Sequence, residues 1–379
     1  TSKEKDIILL LHYYVHCSWK NGSKDLYFYT LHNEEHSLML IRNYLEISKR
    51  IFNKISLTKN ERFILFCACY LHDIGMLSSL NDEEKYKIQD TRILKFYDRF
   101  KKYISEENTS NKIEEILLKI YTLHEATEQL NEIIVRGDHG KRSSLDIQQG
   151  DELPLNDLEK RYVAIVSQNH MLDNSKVYGM EHRVEYRNTS IDIRKISIWL
   201  RLLDLTDVTK HRVTQEVFNK CFDHMGNDSK FHWIRHLSVD DVLFTSEFNK
   251  EEDTLTLKIK ILYNYLPPEE KIDKKCSKEC KYCYKEEDNG YVPKKYEEGT
   301  TGFCDLRKYY LRFANWFDAE VESINQYCSI HNNKFKIYLA YKLNEKTQRE
   351  NFRIVTNARK RKGYITATEF VRKYLIEKC

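Results

Sequence analysis

Apolar residues recur at helical spacing through most of the first 210 residues, which predicts a mainly helical protein. We expect helices over residues 4–19, from His36 to about 45, and over 63–71, 85–104, 110–135, 158–171 and 193–205. A dense polar group at residues 135–144 interrupts this rhythm and is predicted to end the helix over 110–135. The pattern therefore predicts a helical bundle with polar residues gathered at particular helix ends.

The run Phe63–Leu71 is the most apolar of these helices. Thr58 and Glu61 precede it with the spacing of a capping box, so the helix should begin there. His72, Asp73 and then Gly75 follow it directly. Burying a histidine and an aspartate at the end of an apolar helix is costly unless coordination or hydrogen bonds compensate. We therefore expect a metal ion or a polar network at this helix end.

The pattern changes beyond about residue 225. Residues 241–248 and 253–263 alternate apolar with polar positions, which predicts a β-hairpin, and further strands are expected at 333–342 and 352–356. A long helix over 305–330 and a terminal helix from Thr366 should accompany them. We therefore predict two domains, a helical one over 1–224 and an α+β extension over 225–379 that contains a cysteine-bearing loop at 266–303.

Composition narrows the class of protein only slightly. The chain has 379 residues, of which 32% are charged, with a net charge of +4 and no apolar run long enough to span a bilayer. The ten cysteines are scattered, as expected of a reduced compartment, so we predict a cytoplasmic protein. The basic run 359–362 could touch a nucleic-acid backbone, although a solvated turn is the commoner explanation.

Six histidines and aspartates lie at helix ends or inside apolar helices and are candidate metal ligands: His36, His72, Asp73, His139, His170 and Asp204. Four imidazoles and two carboxylates suit two divalent ions, with Mn, Fe, Co, Ni, Zn or Mg as candidates. Such a pair would activate water for attack on phosphorus. His124 is the alternative to His139. We assign His32, His72 and Asp73 to catalysis, and Lys141, Arg142, Lys210 and Arg212 to binding of substrate phosphate.

The ordered set His, His-Asp, His, His, Asp resembles the HD-domain superfamily of metal-dependent phosphohydrolases. The segments Glu35–Ile41, Leu71–Met76, Arg136–Ser143 and Leu200–Asp207 resemble its large HD subgroup from bacterial conflict systems, whose members are often associated with Hsp90-like ATPase modules. The resemblance covers about residues 25–215 and implies an all-α catalytic core. It implies that His36, His72, Asp73 and Asp204 hold one metal, and that His139 and His170 hold the second. Leu31-His32-Asn33 departs from the expected Asp-His-Gly turn, which leaves the role of His32 open.

Four cysteines form a separate candidate site: Cys276, Cys280, Cys283 and Cys304. The first three have the spacing of a radical-SAM cluster loop, but too few residues follow for the barrel of that class. Structural zinc held by the four thiolates is a better interpretation, and unliganded cysteines in a surface loop are equally compatible with the sequence.

The residues favour a phosphohydrolase that acts on a nucleotide or another phosphate ester through a dinuclear metal site. A sensor module that binds a nucleotide without turnover is the main alternative, because the same pocket could pass a signal to a partner. A metal-dependent nuclease is a variant of the first hypothesis, and a basic groove leading to the metals would favour it.

Overall fold

The computed structural model describes residues 2–22, 28–51, 56–77, 113–180, 182–222, 224–237, 239–263, 284–287, 290–293, 319–327, 335–343, 351–354 and 364–365. Its helices are α1 (Ser2–Gly22), α2 (Glu34–Ser48), α3 (Lys59–Leu71), α4 (Ile113–Gln149), α5 (Asp157–Asn169), α6 (Asn174–Gly179), α7 (Ile193–Thr206), α8 (Gln215–Cys221) and α9 (Asn227–Leu237). Short 3-10 turns lie at Ile74–Met76 and Lys210–Arg212. The described part of the chain is mostly helical, which confirms the mainly α fold class.

Helix α3 is the centre of the bundle and packs against α1, α2, α5 and α7. Its residues from Phe63 to Leu71 are nearly all buried, because a helix that is apolar on every side must be surrounded by other elements. The capping box forms as expected, with Thr58 Oγ1 accepting from the Glu61 backbone N–H and Glu61 accepting from that of Thr58. Glu61 also accepts from the backbone of Asp192 and from Lys195, which ties the start of α3 to α7.

Helix α4 corrects the sequence prediction, because it continues without interruption through the polar group to Gln149. The polar residues keep helical spacing: Glu132, Arg136, His139 and Ser143 are three or four apart, and each is buried or nearly so. The apolar periodicity stops at residue 135 because, from there on, the buried face of α4 lines a polar site and no longer packs against the hydrophobic core.

A β-hairpin that the sequence analysis did not assign joins α6 to α7. Strands β1 (Arg183–Tyr186) and β2 (Thr189–Asp192) pair antiparallel, and Arg187 and Asn188 form the turn with φ values of 49° and 58°. Two left-handed residues give the twist that a two-residue hairpin needs. Tyr186 donates to Glu159, so the hairpin is fastened to the capped start of α5.

The C-terminal strands are β3 (Val239–Asn249), β4 (Thr254–Tyr263), β5 (Tyr284–Glu287), β6 (Gly290–Pro293), β7 (Phe335–Leu343), β8 (Asn351–Ile354) and β9 (Tyr364–Ile365). Five of them form a mixed sheet in the order β3-β4-β7-β8-β9, and β5 and β6 form a separate hairpin. The predicted hairpin is β3–β4, in antiparallel register, while β4 and β7 pair parallel. The predicted domain boundary at residue 224 stays a prediction.

Several predictions fall outside the described residues. They are the helix over 85–104, most of the helix over 305–330 (residues 319–327 are helical), the terminal helix, the basic run 359–362 and all four candidate zinc cysteines. Among the described residues, no helix combines the length and the apolar character needed to cross a membrane.

Candidate metal centre

Five elements bring the predicted ligands to one place. His72 and Asp73 follow the last residue of α3, His170 follows the last residue of α5, and Asp204 lies in the last turn of α7. His36 is in the first turn of α2, where Asn33 caps the helix, and His139 lies within α4. The chain therefore gathers side chains that are up to 168 positions apart into the centre of the bundle.

The first group of potential ligands contains His36, His72 and Asp73. The Nε2 atoms of the two histidines lie 3.3 Å apart, and Oδ2 of Asp73 is 3.1 Å from His72 Nε2 and 3.8 Å from His36 Nε2. Asp204 Oδ1 lies 3.6 Å from His36 Nε2, so this carboxylate borders the same space. Nitrogens bound to one tetrahedral ion at about 2.0–2.1 Å lie about 3.3 Å apart, which is the spacing found here.

The second group contains Asp73, His139 and His170. The Nε2 atoms of its two histidines lie 2.9 Å apart, and Oδ1 of Asp73 is 3.4 Å from His139 Nε2 and 3.6 Å from His170 Nε2. Neighbouring ligands of an octahedral ion at about 2.0–2.1 Å lie about 2.9 Å apart. Asp73 thus faces one group with each carboxylate oxygen, as a bridging ligand does.

Hydrogen bonds to Nδ1 orient all four imidazoles. His36 Nδ1 lies 2.5 Å from Asp207 Oδ2, and His72, His139 and His170 contact the backbone carbonyls of Cys69, Arg136 and Ser167 respectively. A carbonyl accepts only, so Nδ1 must carry the proton and Nε2 must present a lone pair. Lone pairs that face each other at such short range repel unless a cation lies between them. The donor set therefore fits divalent metal ions.

Electrostatics favour the ligating form of His139, His170 and Asp73, whereas His72 must release a proton before it can bind a metal ion. Burial lowers the pKa of His170 to about 3 and also lowers the pKa of His139, so both imidazoles are neutral at pH 7. Burial opposes charge on His72 and Asp73 as well, but their mutual attraction outweighs it. The pKa of His72 is therefore raised and that of Asp73 is lowered well below its usual range. Asp73 is thus ionised, and the cation that it attracts can be a metal ion.

Asp207 is a site residue that the sequence analysis left unassigned. It is 2% exposed, and its carboxylate holds Nδ1 of His36 on the side away from the cluster. A carboxylate in this position fixes the ring orientation and strengthens the imidazole as a ligand. The signal in the sequence was its spacing three residues after Asp204, which keeps both carboxylates near one helix end.

A glycine clamp fixes the His72-Asp73 turn to α4. The backbone N–H of Gly75 donates to Ser143 Oγ at 3.0 Å, and Gly75 O accepts from Arg142 Nε at 2.9 Å. A Cβ at position 75 would lie 2.2 Å from the Ser143 nitrogen, so only glycine lets the turn approach so closely. Arg142 was expected to bind substrate. It is 6% exposed, and its Nε donates to the carbonyl oxygen of Gly75 within this clamp.

The other predicted residues lie in different surroundings. His32, which we assigned to catalysis, is buried, with Nε2 3.9 Å from Asp73 Oδ2. His124 is 65% exposed and contacts Glu128. Lys141 is exposed, and half-exposed Lys210 contacts Asp240. Arg212 is buried, with Nη1 3.7 Å from Asp207 Oδ2, so of the basic residues assigned to substrate it is the one beside the carboxylate that holds His36.

Comparison with models of known protein families identifies the same part of the chain. The model of the HD-CE family matches residues 26–269, a span that contains every residue of the two groups. A search of curated proteins finds no match. The chain thus carries an HD-type domain with a histidine and aspartate cluster able to bind metal, as in a metal-dependent hydrolase-like module. Because the matched span covers well over half of the chain, the protein belongs to the HD-CE family.

Proposed function

We propose that this protein is a phosphohydrolase that uses two divalent metal ions to hydrolyse a nucleotide or another phosphate ester. One observation carries the proposal: two groups of buried ligand atoms share Asp73, and every imidazole in them is held through Nδ1 with Nε2 directed at the cluster. Pairs of divalent ions that share a carboxylate are suited to phosphoryl transfer to water.

The ligands divide between the two ions by distance. His36, His72 and Asp204 would hold the first ion together with Oδ2 of Asp73. His139 and His170 would hold the second together with Oδ1 of Asp73. When bound, the ions would supply Lewis-acid activation of water and of a phosphoryl oxygen.

The protein's own groups would complete the site. His32 Nδ1 lies 2.5 Å from the carbonyl of Thr30, so its Nε2 is free to accept a hydrogen bond from the attacking water. Burial, with Arg212 nearby, lowers the pKa of His32 well below its usual range, so this ring stays neutral and orients water as an acceptor. Arg212 would hold a phosphoryl oxygen, while Lys141 and Lys210 would act only through their charge at the surface.

The cellular setting belongs to the proposal as well. The resemblance to HD proteins of bacterial conflict systems suggests a role in bacterial defence in the cytoplasm, with an Hsp90-like ATPase module as the protein partner. Structural zinc on the cysteine-bearing loop is a further part of the proposal. A stable complex with such an ATPase module on co-expression would support the proposed partner, and this test does not require the protein to be catalytically active.

Substitution of the shared ligand is the direct test. Asp73→Ala should lose both ions by elemental analysis and reduce phosphate release from a nucleotide panel by orders of magnitude, because the residue contacts both groups. His170→Ala should lose mainly one ion. His124→Ala is the matched control, since this exposed histidine lies outside both groups, and it should keep metal and activity.

Three outcomes would contradict the proposal in different ways. Full metal content in Asp73→Ala would show that the metals are bound elsewhere. A wild type that holds both ions and binds nucleotides but releases no phosphate would be a sensor module. Cleavage of DNA or RNA in place of small nucleotides would identify a nuclease.

A further inference from the structure

A helix in the C-terminal part of the chain packs against the helical bundle. It comprises residues 319–327, which lie outside the span that the family model matches, and we call it the extension helix. Its residues Val321, Ser323, Ile324 and Tyr327 are buried, with exposed fractions between 0% and 7%. These positions are three or four apart and share one side of the helix, so this side is covered by other parts of the protein.

Two side chains of the bundle hold the extension helix. On α7, Arg201 donates to the Glu320 carboxylate, twice from Nη2 at 2.9 Å and once from Nε at 3.3 Å. On α6, the Tyr178 hydroxyl contacts the carbonyl and the hydroxyl of Ser323, and its ring stacks on that of Tyr327. A contact in which two guanidinium nitrogens meet two carboxylate oxygens fixes orientation as well as charge. The extension helix therefore has a defined position on α6 and α7.

The extension helix is also bonded to the C-terminal sheet. The side-chain oxygen of Asn325 accepts from the backbone N–H of Ile337 on β7 at 2.8 Å, and its amide donates to the carbonyl of Ile337 at 3.0 Å. Contacts to both the sheet and the bundle restrict the movement of the helix. Glu320 is thus presented to Arg201 from a fixed support.

Arg201 uses a further nitrogen to hold the turn that follows the ligand His170. Its Nη1 donates to the carbonyl oxygen of Leu172 at 2.8 Å. The Arg201 side chain is 7% exposed, and within the described part of the chain its ion pair is with Glu320. Removal of one partner from a buried ion pair leaves a charge without compensation. Glu320 therefore keeps the guanidinium of Arg201 in place for Leu172.

Both sides of His170 are hydrogen-bonded to α7. The amide of Asn169 donates to Ser197 Oγ at 2.9 Å, and the carbonyl of Leu172 accepts from Arg201 at 2.8 Å. Of these two links, the second depends on the extension helix, because its donor is the guanidinium that the extension helix holds. The position of the His170 imidazole therefore depends in part on residues far along the chain.

We propose that Glu320 is a positioning residue for the second metal ion. Glu320 orients Arg201, which holds the turn after His170, and His170 is one of the three potential ligands of the second group. The inference rests on the two-ion assignment of the proposed function, but it does not require hydrolysis. Binding of the second ion thus depends on the C-terminal part of the chain, whereas binding of the first ion does not.

A metal titration tests this role without a measurement of activity. Metal-free protein is titrated with Co²⁺, and binding is followed by the absorption of the bound ion and by calorimetry. The binding step that His170→Ala loses identifies the second ion. Glu320→Ala should weaken this step about tenfold and change the affinity for the first ion by less than about twofold, because an outer contact affects the ion that the supported ligand binds.

Controls separate positioning from charge and from stability. Glu322→Ala removes an exposed carboxylate from the same helix, so both affinities should stay unchanged. Ile324→Val trims a side chain that is 1% exposed and leaves the ion pair intact, so it should lower the melting temperature without weakening the second step. In an Arg201→Met background, Glu320→Ala should have no further effect on the second ion, because the two residues act together.

The outcomes separate this inference from the proposed function. A second step that is unchanged in Glu320→Ala, or an equal fall for both ions, would overturn the positioning role even in an active enzyme. A wild type with no step that depends on His170 would overturn both proposals. Selective loss of the second ion without phosphate release from any substrate would refute only the phosphohydrolase.

Melting of the metal-free variants shows whether each is folded. Glu320→Gln keeps the length of the side chain and removes its charge, so it should weaken the second step in the same direction. This variant decides the question if Glu320→Ala does not fold, and an unchanged second step in folded Glu320→Gln would then overturn the inference.

Discussion

Replacement of Gly75 by alanine tests whether the glycine clamp holds the two metal groups together. A Cβ at this position would lie 2.2 Å from the Ser143 nitrogen, 2.6 Å from the Arg142 carbonyl carbon and 2.7 Å from the Arg142 Cβ. Two of these atoms belong to the backbone of α4, so no side-chain rotation relieves the overlap. The turn after Asp73 must therefore move away from α4, which carries His139.

The magnitude follows from the contacts that are lost. Overpacking against a rigid helix costs about 1–3 kcal/mol, and loss of the two hydrogen bonds of Gly75 adds about 1–3 kcal/mol. At about 2–4 °C per kcal/mol, the melting temperature of Gly75→Ala should fall by roughly 10 °C. Oδ1 of Asp73 lies 3.4 Å from His139 Nε2, so the same movement should open the second metal group and leave the first in place.

Two other glycines provide a graded comparison. At Gly140 a Cβ would lie 3.0 Å from Cβ and Cγ of Met171 and 3.2 Å from the backbone oxygen of Gln168, so a loss of stability smaller than that of Gly75→Ala is expected. At Gly179 it would meet nothing within 4 Å, so Gly179→Ala is the neutral control. Thermal melting and elemental analysis of the three variants should show the order Gly75, Gly140, Gly179, with loss of about one ion for Gly75→Ala. A Gly75→Ala protein that melts like the wild type with both ions would refute the clamp.

Two further predictions concern a ligand support and a helix cap. Asp207→Asn should weaken binding of the first metal ion by about 10- to 100-fold in a metal titration. The reason is that the amide no longer supplies a negative charge behind His36. An unchanged affinity would show that Asp207 has no part in the site. Thr58→Ala should destabilise the protein by about 1 kcal/mol, because the backbone N–H of Glu61 loses its acceptor. Denaturant unfolding measures this loss, and elemental analysis should show a normal metal content. A metal loss equal to the loss in Asp73→Ala would contradict a purely local role for the cap.

Local sequence determines the helical fold class and most of the candidate metal ligands. The apolar run of α3 and its capping box depend only on neighbouring residues, so the helix and its first residues could be predicted. The order of His36, His72, Asp73, His139, His170 and Asp204 identified the cluster, because an imidazole or carboxylate inside an apolar helix is costly without a partner. The β3–β4 hairpin was also predictable, since alternation of apolar and polar residues indicates strands with one buried face.

The tertiary structure decides which of the remaining polar residues meet. Helix α4 was predicted to end at residue 135, because burial of polar side chains at a site removes the apolar rhythm on which a sequence-based prediction depends. The sequence analysis preferred His139 and kept His124 as the alternative. Both lie on α4, and packing places His139 at the buried centre while His124 is exposed. The contact of Asp207 with His36 spans 171 positions. Such long-range pairing is a property of the assembled bundle.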